Sequence, residues 1–235
     1  MQLPHPTTSA KTLLKRYGVY HLAKLQADKA LKEMARDWKT AQDRLEAHLD
    51  EARKACAASQ AELASRNASS ARMDRQIRAF ALGVLQKVDN KRRSDLYRIY
   101  FPKGWSPVLL LAPPAKAQRV GVILTLLAEE KDPALTAYVH QLREAQRDLG
   151  NEIRAFKEAS DRKRIAADLL RVEKISWFDA YRRDGLALSL RFYQTPKRVR
   201  TYFKAIRKAK KPKRKPPEPA KVDETNVAAP TASTP

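Results

Sequence analysis

A chain of 235 residues has room for one ordinary domain or two small ones, and 48 basic against 26 acidic residues leave a formal net charge of +22. With 36 alanines, 6 glycines and one cysteine, the composition argues against a many-stranded β protein, an internal disulfide framework and a multi-cysteine zinc site. The apolar fraction of 43% is too high for a wholly disordered chain, and no apolar run approaches the roughly 20 residues of a membrane span.

Residues 1–9 hold two prolines and mostly polar side chains, which predicts a short disordered lead without the apolar core of a secretory signal. Lys11, Lys15, Arg16 and Lys24 precede the first acid, Asp28, a bias shared with organelle transit peptides. The segment is poor in arginine and runs into a helical pattern, so an ordinary helix start is the better reading. From Tyr20 to Ser65 the apolar positions Leu31, Met34, Trp38, Ala41, Leu45, Leu49, Ala52, Cys56 and Leu63 fall three or four apart, the period of a first long helix. Arg66-Asn67-Ala68-Ser69-Ser70 is the best turn candidate. A second helix carries Met73, Ile77, Phe80, Val84, Val88, Leu96 and Ile99 and ends near Phe101, before Pro102 and Gly104.

Phe101–Ala115, FPKGWSPVLLLAPPA, has four prolines and a glycine and predicts an ordered connector without regular helix, packed across the helices; a ligand pocket lined by Trp105 is the alternative. A third helix begins near Gln118 with Val120, Ile123, Leu124 and Leu127, restarts or kinks at Asp132-Pro133, and continues through Leu135, Tyr138, Leu142, Leu149, Ile153 and Phe156. A break at Ser160-Asp161, or else at Gly150-Asn151, leads to a fourth helix with Ile165, Leu169, Val172, Ile175 and Phe178 on its buried face. Leu186–Phe192 alternates like a strand, but Leu186, Leu190 and Tyr193 also fit a helix face and no partner strand is evident, so helix is preferred. The expected fold is all-α: an antiparallel bundle of four long helices over residues 10–205, built as two helical hairpins joined by the proline-rich connector, with a disordered Lys/Pro-rich tail over 206–235.

Bundle cores often hold metal sites built on Glu-x-x-His pairs, and none of His5, His21, His48 and His140 lies in one. Cys56 sits among Ala55, Ala57 and Ala58 in no evident basic microenvironment, which reads as a structural thiol, and no glycine-rich phosphate loop is present. No enzyme, cofactor or metal is expected.

The remaining signal is basic charge. Lys87, Lys91 and Arg98 are expected on one side of the second helix, and Arg92 and Arg93 widen that patch; Arg162-Lys163-Arg164 and Arg182-Arg183 are further clusters, each readable as an ordinary solvated face. From Thr195 to Lys215 there are eleven cations and no acid: Lys197, Arg198, Arg200, Lys204, Arg207, Lys208, Lys210, Lys211, Lys213, Arg214 and Lys215. These repel one another unless an anion neutralises them. Tyr202 and Phe203 within this segment either stack on bases or anchor the chain. The run Lys208–Pro216, KAKKPKRKP, resembles the tails of linker histones and histone-like bacterial proteins, and also nuclear import signals. The resemblance is compositional and implies polyanion affinity.

The expectation is a non-enzymatic basic bundle that binds nucleic-acid phosphates with little sequence specificity, inside the cell, in the cytoplasm or associated with a nucleoid or nucleus. A structural or scaffold protein acting through a homo-oligomer or a partner helix is the main alternative, and binding to another polyanion or an anionic lipid surface a third.

Overall fold

The computed structural model describes residues 3–205, which are all-helical with no strand among them. Nine α-helices follow in order: α1 (Ala10–Thr12), α2 (Val19–Ala27), α3 (Lys32–Lys87), α4 (Asp95–Tyr100), α5 (Ser106–Leu109), α6 (Pro113–Ala128), α7 (Pro133–Thr136), α8 (Tyr138–Arg191) and α9 (Pro196–Thr201). A π-helical stretch, Leu13–Gly18, joins α1 to α2, and a 3-10 turn, Lys29–Leu31, precedes α3.

Two of these dominate. Helices α3 and α8 hold 56 and 54 residues, so each is roughly 80 Å long. They pack antiparallel as a rod: Trp38 meets Trp177, Arg44 reaches Glu173, Arg72 reaches Asp148 and Tyr138 lies against Gly83. The expected turn at Arg66–Ser70 is interior to α3, and the expected breaks at Gly150-Asn151 and Ser160-Asp161 are interior to α8. The four expected long helices are thus joined end to end as two. Leu186–Arg191 is helical, as preferred over a strand.

Smaller helices thicken the rod at its ends. At the proximal end, where α3 begins and α8 finishes, α1, α2 and α9 enclose a core rich in aromatics. The first long helix was expected to run unbroken from Tyr20, but Asp28 takes an extended conformation and its carboxylate caps the 3-10 turn, accepting from the Ala30 amide at 3.1 Å. That break folds α2 back beside α3. Gly18 permits the close approach, because a Cβ there would lie 1.5 Å from the Gln42 amide nitrogen. Its carbonyl accepts from the Trp38 indole at 3.1 Å. Within the expected lead, Pro4 is buried and the Pro6 carbonyl accepts from Lys174 at 2.5 Å.

The distal end packs α4 to α7 around the end of α3 and the start of α8. Met73, Ile77, Phe80 and Val84 of α3 meet Val120, Ile123 and Leu127 of α6 and Leu142 and Leu149 of α8. The connector is more helical than its prolines suggested: Ser106–Leu109 forms a turn, and Pro113 and Pro114 open α6, where their missing N–H groups cost nothing. Asp132-Pro133 starts α7 as expected, the Asp132 carboxylate accepting from the Ala134 amide at 2.9 Å.

Candidate nucleic-acid interface

Most of the basic residues singled out in the sequence fall at the two ends of the rod, whereas Arg162-Lys163-Arg164 lies midway along α8. Distally, α3 stops at Lys87, earlier than expected, through two successive left-handed residues, Asp89 (φ 50°) and Asn90 (φ 61°). Such conformations are tolerated best by Asp, Asn and Gly. The Asn90 amide donates back to the Leu85 carbonyl at 2.8 Å, and Ser94 caps α4, accepting from the Tyr97 amide at 3.4 Å. The turn between them carries Lys91, Arg92 and Arg93 in full solvent exposure. Lys87 and Arg98 therefore do not share a helix face with Lys91. Lys87 turns to the Asp132 carboxylate, whereas Arg98 projects from α4.

A second sharp turn completes the site. Gly104, at φ 84°, adopts a conformation that side chains other than glycine rarely take, and it brings Lys103 and Trp105 round beside α4. The result is a cleft of about 520 Å³ whose lining includes Arg92, Arg93, Arg98, Lys103, Tyr97 and Trp105 and no acidic side chain. Those four cations form no ion pair with a described residue. Trp105 is half-buried, with the Arg78 guanidinium 5.8 Å from its ring centre. The walls are fixed by polar contacts beneath: Arg119 donates to the Tyr100 carbonyl at 2.7 Å, and the Tyr100 hydroxyl donates to Glu130 at 3.2 Å. Burial, and next the Glu130 charge, push that hydroxyl up to about 12.

Proximally, Lys197, Arg198, Arg200 and Lys204 are exposed on and after α9. Arg198 is engaged within the chain: it donates to Asp28 at 3.0 Å and lies 4.3 Å over the Phe192 ring. Lys204 lies 5.0 Å from the Tyr20 ring centre. Lys197 and Arg200 remain uncommitted among the described residues. Tyr202 and Phe203 are buried anchors, which overturns the reading that they stack on bases. The Tyr202 hydroxyl donates to Asp28 at 2.8 Å, and this bond, ahead of the Ala30 amide, holds the Asp28 carboxyl below the usual carboxylate range. Phe203 stacks on His21 with centroids 4.7 Å apart. Arg207, Lys208, Lys210, Lys211, Lys213, Arg214 and Lys215, with the expected disordered tail, lie outside the described residues.

His21 belongs to a buried polar cluster that sequence spacing could not reveal. Its Nδ1 faces the Tyr202 carbonyl at 2.9 Å and its Nε2 faces Asp184 at 3.1 Å, so each ring nitrogen meets an oxygen within hydrogen-bond distance. Asp184 is 163 residues away in the chain, and no local motif marks the pair. Lys116, another residue passed over in the sequence, is buried against Asp74 at 2.6 Å and donates to Ser70 at 3.1 Å.

Comparison with protein-family models, with curated proteins and with solved structures finds no match to this chain. Its function must therefore be argued from these residues. No group of three or more His, Cys, Asp or Glu placed to hold a metal ion occurs among the described residues, and none of their helices is long and apolar enough to cross a membrane. Arg164 and Arg182 pair within α8 with Asp161 and Asp179, both at 3.3 Å, as solvated helix faces do.

Proposed function

We propose that the protein is a non-enzymatic binder of nucleic-acid phosphates with little sequence preference, acting inside the cell in the cytoplasm or at a nucleoid or nucleus. The observation that carries this reading is the distal cleft. Four cations without acidic partners converge there beside an accessible indole. Like charges held this close repel one another, and a phosphate relieves the repulsion. The cleft lining includes the Ser106 hydroxyl but no histidine or carboxylate to activate it, which favours binding over catalysis. Lys197 and Arg200, continued by the tail cations from Arg207 to Lys215, add a second basic region at the other end of the chain.

Trp105 provides the test. Trp38 and Trp177 are closed to solvent at 1% and 0% exposure, so Trp105 alone of the three indoles can respond directly to a bound ligand. Duplex and single-stranded oligonucleotides of unrelated sequence should quench or shift its emission with similar affinity. Arg92→Glu with Arg93→Glu should remove the response. An emission that oligonucleotides leave unchanged at low salt would overturn the reading.

A further inference from the structure

Of the stripe that the sequence marks as the buried face of a fourth helix, Phe178 is buried and the rest lies in solvent. Ile165, Leu169, Val172 and Ile175 are 56%, 48%, 63% and 57% exposed. After a polar interval the same face resumes at Leu186 and Leu190, which are 69% and 79% exposed. At 3.6 residues per turn these six side chains occupy an arc of about 120° that extends roughly 38 Å along α8. Ala159, Ala166 and Trp177, which are buried, point away from it towards α3. Two exposed apolar patches aligned on one helix face of a chain in water mark a contact surface. Beyond residue 205 the only large aliphatic side chains are Ile206, Val222 and Val227, too few to line it. Asp161, Asp168 and Asp179 along the same face pair with Arg164, Arg171 and Arg182, so their charge is largely offset and the exposed aliphatic side chains set the character of the face.

We propose that this face joins two copies of the chain, with their α8 helices antiparallel across a two-fold axis. The charges select the register. Asp179 and Arg183 occupy the interval between the two apolar halves, four residues apart on one side of the helix. With the axis level with position 181, Val172 lies beside the partner's Leu190, and Ile175 lies beside the partner's Leu186. Asp179 meets the partner's Arg183, twice by symmetry. A slip of one heptad either way sets Arg183 or Asp179 against an aliphatic side chain, a mismatch that charge pairing avoids. Asp179 is free to take part, since its intrahelical contact with Arg182 is solvent-exposed on both sides.

The test is the mass of the full chain in solution, measured by light scattering without nucleic acid, so that its failure leaves the phosphate-binding reading standing. The wild-type chain should show twice the mass of one copy. Val172→Glu with Leu190→Glu should show the mass of one copy with an unchanged helical circular dichroism spectrum, because both side chains are exposed in the single copy. Asp179→Arg should weaken dimerisation about tenfold or more, and Asp179→Arg with Arg183→Asp should restore it. A wild-type chain that stays at the mass of one copy at high micromolar concentration would overturn the proposal. So would a dimer that survives the double glutamate substitution, or a charge swap that fails to restore association.

Discussion

Between Leu45 and Met73 of α3, and between Leu149 and Trp177 of α8, the only buried residues are Ser59, Ala159 and Ala166. At the proximal end, by contrast, Leu13, Leu25, Leu45 and Trp177 are completely closed to solvent, and at the distal end so are Met73, Ile77, Phe80 and Val84. Both ends enclose their side chains with helices beyond the rod; the middle has only two helices facing each other across small residues. Alanine and serine allow close approach but remove little apolar surface from water, so the burial that stabilises the chain is concentrated at the ends. The two ends differ from each other as well. The distal core is largely aliphatic, whereas the proximal one builds Trp38, Trp177, Tyr181 and Phe203 around the buried hydrogen-bonded pair of His21 and Asp184.

Truncation should expose this contrast most sharply. Phe80→Ala distally and Trp177→Ala proximally should each cost about 3–5 kcal/mol in urea denaturation. A smaller loss, about 1–3 kcal/mol, is expected for Gly18→Ala, whose new Cβ would collide with the buried Gln42 side chain. Ala159→Gly in the middle of the rod should cost only about 1 kcal/mol, the loss of helix propensity. If it matched the end-core truncations, the middle would be contributing packing that its small seam does not suggest.

The smallest effect concerns the attachment of α9. The Asp28 carboxyl is held below its ordinary value of 3.8 first by the Tyr202 hydroxyl and then by the Ala30 amide. A depressed carboxylate contributes stability that is present in full above the unfolded value and is lost as pH falls through the folded one. Protection of the amides around Val199–Phe203, taken relative to their intrinsic exchange rates, should therefore fall below about pH 4, and Asp28→Asn should abolish that fall. Protection with the same pH profile in Asp28→Asn and wild type would show that Asp28 does not hold α9.

Much of the helix content was legible because apolar residues recur at helical spacing; Met73, Ile77, Phe80 and Val84 are buried as that pattern requires. The Asp132-Pro133 start was legible because a side-chain cap and a first-turn proline are local chemistry. The turn expected at Arg66–Ser70 failed because local propensity is a weak prior against tertiary pairing. Arg66 stays helical with its guanidinium 4.4 Å over the Phe156 ring, and Ser70 accepts from Lys116 instead of capping a new helix. The fold-back at Asp28 was missed because the apolar stripe passes through it without interruption. Of the candidate interface, Arg92, Arg93 and Arg98 were singled out in the sequence as one patch, and a pocket at Trp105 only as the alternative to a plain connector. That Lys103 and Trp105 join those arginines was not legible, since it depends on left-handed turns at Asp89, Asn90 and Gly104. The stripe from Ile165 to Ile175 was read correctly as apolar and wrongly as buried within the chain. Periodicity shows that a face seeks a partner, not where the partner resides.

The most direct test of the phosphate-binding account is the salt dependence of duplex DNA binding by the full chain, compared with the chain carrying Arg92→Glu and Arg93→Glu. Each neutralised phosphate contributes about −0.9 to the slope of log K against log salt, so losing two cleft cations should flatten the slope by about 2, equally for unrelated sequences. An unchanged slope in the variant, or no binding to DNA or RNA by the wild-type chain at low salt, would contradict the account.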